Sequence, residues 1–335
     1  MVPDPGWCQF PRWGSWESLR LVFSTTSATT VAGVEYDTKS HREEALRCVT
    51  ADGLEIALTD FGGAGPDLLL VHATGFCAAV LAPLAQGLTE NFHCWGLDLR
   101  AHGHSDRPTD GNFAWSGFAL DVQAAIDRLD LHQPFAFGHS CGGAAVLLAE
   151  EARPGTFAGL YCFEPIVFPS DDPVEGSGAD NPLSMGALRR REIFPSRADA
   201  LANFKSKPPF SVLDPAALAA YIDGGFELVP VEEGGDGQLV RLCCRREDEA
   251  AVYAQSIHHD AFAHLGSVQC PVTLACGEET DVFSPPVLEL FAARLARPAI
   301  QVFGGMGHFG PMEGPELVAE SVRSALVPSA DTPSS

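Results

Sequence analysis

At residue 140 the pattern of the chain changes abruptly. The apolar run PFAFGHS (134–140) reads as a strand, and CGGAAVLLAEEA (141–152) reads as a helix that follows with no linker. Their junction is Gly138-His139-Ser140-Cys141-Gly142, a G-x-S-x-G pattern. A serine at such a junction sits on a sharp, strained turn. Glycines are required on either side because side chains there would strike the neighbouring strand and helix. The pentapeptide alone is a weak signal, and the strand before it and helix after it make it specific.

The same alternation runs through most of the chain. EALRCVTADGLEIALTDFG (44–62) reads as a β-hairpin around Asp52-Gly53. DLLLVHA (67–73), NFHCWGLDL (91–99) and FAGLYCFEP (157–165) read as strands, with helices over 78–90 and 117–131. Strands alternating with helices imply a parallel sheet with right-handed crossovers. Between 168 and 268 the rhythm breaks into helical patches at 184–206, 214–222 and 246–264, with an acidic Gly-rich turn, VEEGGDG (231–237). No buried parallel strand is expected there, so the segment reads as an inserted helical cap. The rhythm resumes with PVTLACG (271–277), a helix near 286–297, AIQVFGG (299–305) and a last helix at 315–326.

At 335 residues the chain is long enough for two domains, or for one large domain with an insertion. Apolar residues at 46% and charged residues at 19% exclude a largely disordered chain. A net charge of −23 repels a phosphate backbone and weighs against a nucleic-acid partner. No apolar stretch approaches the ~20 residues that span a bilayer, and MVPDPGWCQFPRWGSW does not read as a signal peptide. Residues 1–42, with Trp7, Trp13 and Trp16, are expected to be a poorly ordered extension, and 329–335 a tail. Cysteines such as Cys48, Cys94, Cys162 and Cys276 lie in strand-like runs without a CxxC pair or zinc-ligand spacing. They read as reduced, buried thiols of a cytoplasmic protein.

A weakly acidic serine hydroxyl needs a base before it can attack. His308, in Gly304-Gly305-Met306-Gly307-His308-Phe309, lies just after the last expected strand and before the last helix, and completes a chain order of Ser, acid, His. An oxyanion also needs donors. The backbone N–H groups of Thr74 and Cys141 are the candidates, with His72 holding the loop rather than acting on substrate.

By these residues the chain resembles the α/β-hydrolase family over about 44–328. The resemblance is carried by HATGF (72–76), DLRAHGHSD (98–106), GHSCGG (138–143) and GMGHFGPMEGPE (305–316). It implies an α/β fold with a mostly parallel eight-stranded sheet flanked by helices, a core at 43–167 and 269–328, and a cap at 168–268. It also implies that Asp98, Arg100, His102, Gly103 and Asp106 brace neighbouring turns. One departure is His72-Ala73, where the family usually has His-Gly. Family acids usually follow the strand before last, which points to Asp281 in Gly277-Glu278-Glu279-Thr280-Asp281, one position late. Relatives similar to haloalkane dehalogenases take the acid from the strand after the nucleophile helix, which points to Glu164. Asp281 is the first choice and Glu164 the alternative, with Glu278 or Glu279 behind them, and Asp281 and Glu164 could share the histidine.

Haloalkane dehalogenases and epoxide hydrolases of this fold place Asp where this chain has Ser140, because a carboxylate must displace at carbon. Ser140 suits acyl transfer instead. The expected function is therefore hydrolysis of a small, largely apolar carboxylic ester or lactone through an acyl-enzyme, with no cofactor and no metal. The same triad would serve C–C bond hydrolysis or cofactor-free perhydrolysis, and the same fold would serve a non-catalytic ligand-binding module. The cap aromatics Phe194, Phe204, Phe210, Tyr221, Phe226, Tyr253 and Phe262 are expected mainly to hold the cap together. Arg189-Arg190-Arg191 is expected to be a solvated helix face.

Overall fold

The computed structural model describes residues 46–167, 181–230, 238–256, 259–280 and 282–327. The extension expected at 1–42, the tail at 329–335, the acidic turn at 231–237 and Asp281 lie outside the described residues.

Eight strands form one sheet: β1 (Leu46–Val49), β2 (Glu55–Gly63), β3 (Asp67–Val71), β4 (His93–Leu97), β5 (Phe135–His139), β6 (Gly159–Phe163), β10 (Val272–Gly277) and β11 (Pro298–Phe303). Their order across the sheet is β1-β2-β4-β3-β5-β6-β10-β11. The β1–β2 and β2–β4 pairs are antiparallel, and every other pair is parallel. The hairpin turns at Gly53, where φ is +89°. The continuous apolar run of β3 is explained by its two faces. Leu69 and Val71 pack into the cluster under the helices Ser116–Leu129 and Cys141–Ala152. Leu68 and Leu70 pack into the opposite cluster with Leu84, Val318 and Val322. Each fully buried leucine or valine contributes about 1.5–3 kcal/mol relative to exposure, so a strand with three such leucines and Val71 is fixed in the middle of the sheet.

The helix expected at 78–90 begins as a 3-10 turn, Ala78–Leu81, and continues only over Ala82–Gln86. The loop DLRAHGHSD folds back on the core as expected. Asp98 accepts from Ala78 N–H at 2.7 Å and from His104 N–H at 2.9 Å, and Arg100 forks onto Asp121 at 2.7 Å. Cys48, Cys94, Cys162 and Cys276 are free and buried. Burial pushes the thiols of Cys48, Cys94 and Cys276 up to about 12. Among the described residues no helix is long and apolar enough to cross a membrane.

The described residues between β6 and β10 add no strand to the main sheet, but they are not all helical. They hold a small antiparallel sheet of β7 (Ile193–Phe194), β8 (Phe226–Pro230) and β9 (Gln238–Leu242), in the order β7-β9-β8. Only one face of β9 is buried, at Val240 and Leu242, so it carries a weak period-2 signal rather than an apolar run. Arg197–Lys205 packs on β7 and Pro215–Gly224 on β8, whereas the helices Pro182–Ala187 and Arg246–Ala254 pack on each other. Phe194, Phe204, Tyr221 and Phe226 are buried together in one cluster with Phe76. Phe262 is different: it meets Phe291 edge-on, with ring centroids 5.1 Å apart, in the core cluster on the other face of the sheet.

Candidate active site

Ser140 stands between β5 and the helix Cys141–Ala152 with φ +56° and ψ −115°. Such a backbone costs a non-glycine residue about 1–3 kcal/mol, and neighbouring strands hold it in place. Ser140 N–H donates to Phe163 O at 2.9 Å, and Ser140 O accepts from Ile166 N–H and Ala144 N–H at 3.2 Å each. Close approach explains the flanking glycines. A Cβ on Gly138 would lie 2.5 Å from Gly142 O, and one on Gly142 would lie 2.3 Å from Val71 O.

His308 follows β11 and brings its Nε2 to 3.2 Å from Ser140 Oγ. Its Nδ1 lies 2.6 Å from Oε2 of Glu164. Glu164 sits at the end of β6, is 0% exposed and has φ +45°. Burying a carboxylate is costly unless its lone pairs find donors. Here Gly277 N–H donates to Oε1 at 3.0 Å and the Thr280 hydroxyl donates to Oε2 at 2.8 Å. The segment Gly277–Thr280 therefore supplies groups that hold Glu164. Because β5, β6, β10 and β11 lie side by side, their carboxyl ends bring these residues together.

Thr74 and His72 lie in the turn after β3, where three successive peptides are each anchored. The carbonyl of Ala73 accepts from His72 Nδ1 at 2.8 Å and from Phe76 N–H at 3.2 Å. Gly75 N–H donates to His102 Nε2 at 3.0 Å. Gly75 O accepts from the Tyr221 hydroxyl at 3.2 Å. His72 Nε2 in turn accepts from Leu99 N–H at 3.1 Å, and His102 Nδ1 donates to Arg100 O at 2.9 Å. Each ring accepts a backbone N–H at Nε2 and donates from Nδ1, an arrangement open only to neutral imidazole. Burial, with the adjacent ring, lowers His72 to about 3, and burial, with the Arg190 charge, lowers His102 to about 4. Burial pushes the Cys141 thiol up to about 12, against the opposing effect of the neighbouring Thr74 side chain and backbone. That thiol donates to His72 O at 3.6 Å.

Several contributors are not visible as motif residues. His139, the variable position of the pentapeptide, donates from Nε2 to His308 O at 2.8 Å, and its ring lies 5.0 Å from the His308 ring. Burial, with the neighbouring His308, drives its pKa well below the usual imidazole range. Thr280 adjoins Asp281 in the segment singled out for its carboxylates, but it is the hydroxyl that reaches Glu164. Of the arginine triplet, Arg189 and Arg191 are exposed as expected, whereas Arg190 turns inward. Arg190 pairs with Glu249, donates to the Tyr221 hydroxyl at 2.8 Å, and lies 5.6 Å over both Phe204 and Phe210. A buried salt bridge between segments 59 residues apart leaves no local sequence signal.

The chain is 33% identical over 264 residues to the 2-(acetamidomethylene)succinate hydrolase of Mesorhizobium japonicum, covering 79% of this chain and 89% of that protein. The solved structure of an E-2-(acetamidomethylene)succinate hydrolase superposes with a TM-score of 0.71 at 20% identity, over 84% of this chain and 98% of that one. A malate-bound thermophilic esterase from Thermogutta terrifontis superposes with a TM-score of 0.63 at 19% identity, over 84% and 97%. At these identities the structural matches speak for the fold. The family model described as the alpha/beta hydrolase family matches residues 68–321. With that match over most of its length and the sheet order described above, the chain belongs to the alpha/beta hydrolase family.

Proposed function

We propose that this hydrolase is a serine esterase acting on a small, largely apolar carboxylic ester or lactone, with Ser140 as nucleophile, His308 as base and Glu164 as acid. The observation that carries the reading is the continuous line from Ser140 Oγ through His308 Nε2 and Nδ1 to Glu164 Oε2, at 3.2 and 2.6 Å. His308 takes the serine proton as Oγ attacks the acyl carbon, then returns it to the leaving alcohol. Glu164 accepts from Nδ1–H, which fixes the tautomer that leaves Nε2 free to act, and its charge opposes that of the imidazolium formed in the transition state. The N–H groups of Cys141 and Thr74 hold the developing oxyanion. Water then attacks the acyl-enzyme by the same path in reverse. No step requires a metal or organic cofactor.

The segment 168–268 serves as a cap over this site, and the Phe76 ring, 5.6 Å from Phe210 and 5.7 Å from Phe309, favours an apolar acyl group. A second reading, an acidic amide-bearing substrate, is favoured by the 33% identical relative, whose name is that of an acetamido-substituted succinate hydrolase. Against it, the buried cation nearest the loop, Arg190, is already matched by Glu249. A panel of p-nitrophenyl esters of increasing chain length, run beside N-acyl enamine dicarboxylates, separates the two. Turnover highest on short apolar esters supports the first reading, and turnover confined to the dicarboxylates overturns it.

A further inference from the structure

The turn that presents the Thr74 amide is held from two directions. His72 and His102 belong to the core and fix two of its peptides. The third peptide, Gly75–Phe76, is fixed at its carbonyl by Tyr221, from the helix Pro215–Gly224 of the insertion. That same peptide carries the Phe76 N–H, which donates to Ala73 O at 3.2 Å, and Ala73 O belongs to the peptide whose other end is the Thr74 N–H. A rotation of the Gly75 carbonyl is therefore passed to the Thr74 amide through one hydrogen bond.

The hydroxyl that does this is itself restrained. Arg190 donates to it at 2.8 Å, which leaves its own proton directed to Gly75 O. Arg190 is in turn paired with Glu249, whose side chain lies against Gly75: a Cβ there would meet Glu249 Oε1 at 2.7 Å and Arg190 Nη1 at 3.0 Å. With φ +79°, Gly75 has a backbone that only glycine adopts without strain. The Tyr221 ring is stacked on Phe210 at 5.5 Å and tilted against Phe76 at 5.2 Å, which fixes its plane, whereas Phe226 meets it edge-on at 6.0 Å with a ring that takes no part in the turn's hydrogen bonds.

We infer that Tyr221, oriented by Arg190, is a positioning residue for the oxyanion-binding turn, so that docking of the insertion on the core sets the alignment of the Thr74 amide as well as the pocket wall. The inference rests on the proposed serine esterase reading, and it concerns turnover rather than substrate affinity, because the amide strengthens its bond only as negative charge develops on the acyl oxygen.

Tyr221→Phe removes one hydroxyl and keeps the ring. With the best p-nitrophenyl ester, kcat is expected to fall on the order of 10-fold to 100-fold, a fraction of what loss of a whole oxyanion donor costs, while KM stays within about threefold. An arylboronic acid, which forms a tetrahedral adduct on the serine, is expected to bind correspondingly more weakly. Phe226→Leu is the companion: it loosens the same aromatic cluster and leaves the hydroxyl, so it should lower the unfolding temperature with kcat retained. A Tyr221→Phe kcat within about twofold of the parent, with Ser140 still labelled by a fluorophosphonate, overturns the inference and leaves the esterase reading standing. Equal losses of kcat and of stability in both variants also overturn it, because they assign Tyr221 to packing alone. Hydrolysis that survives Ser140→Ala overturns the inference together with the reading beneath it.

Discussion

The carboxylate of Glu164 meets His308 Nδ1 at 2.6 Å from the end of β6, one strand over from the nucleophile strand. The end of β10 and the residues that follow it give that carboxylate a backbone N–H from Gly277 and a hydroxyl from Thr280. The two segments thus divide the work: one brings the charge and the other satisfies it. A carboxylate held this way is fixed in direction, because each oxygen has a donor besides the ring.

Glu164→Gln keeps the shape of the side chain and removes the charge. The expected result is a loss of roughly 10²–10⁴ in kcat with an unchanged KM, measured on the best p-nitrophenyl ester. Asp281→Asn in the same assay should cost little. If Asp281→Asn is inactive and Glu164→Gln is not, the acid has been wrongly assigned; if only the double variant is inactive, the two carboxylates replace one another.

How much of this was legible beforehand follows from which contacts are local. Ser140 announces itself because the chain changes periodicity there, and His308 because it follows the last strand of a regular alternation. The choice between Glu164 and Asp281 depends instead on which side chain crosses from β6 or β10 to the ring, and spacing along the chain carries no such information. The β8–β9 hairpin of the insertion is half-buried and short, so its alternation is faint. The Tyr221 contact with Gly75 spans 146 positions, and only the folded chain brings the two together.

Stability should fall steeply in acid. His72 and His102 are neutral in the fold, lowered to about 3 and about 4 by burial. An unfolded histidine titrates near ~6.5, so below that pH the unfolded chain takes up protons that the folded one refuses. The stabilisation is fully present above about pH 6.5 and is lost as pH falls towards 4 and then 3, by a few kcal/mol per ring. Chemical denaturation at pH 7.5, 6, 5 and 4 reads this directly. His102→Gln should flatten the profile, and an unchanged slope in that variant would show that His102 is not a source of it.

Gly142→Ala tests the packing of the turn at the candidate nucleophile. Its Cβ would lie 2.3 Å from Val71 O and 2.6 Å from His72 O, both backbone atoms that cannot rotate away. The variant should be less stable by about 1–3 kcal/mol or more and should lose activity beyond that, because the helix that carries the Cys141 N–H must shift. Gly155→Ala, a surface turn with φ +84° and open space around it, gives the cost of backbone strain alone. Equal losses of stability in both would deny the close contact.

The most direct measurement is fluorophosphonate labelling of the intact protein, with the modified residue located by peptide mass spectrometry. The account predicts one label, on Ser140, that abolishes esterase activity in proportion to its incorporation and is absent in Ser140→Ala. Ester hydrolysis that proceeds at the parental rate in Ser140→Ala, or in protein labelled to completion elsewhere, would contradict it.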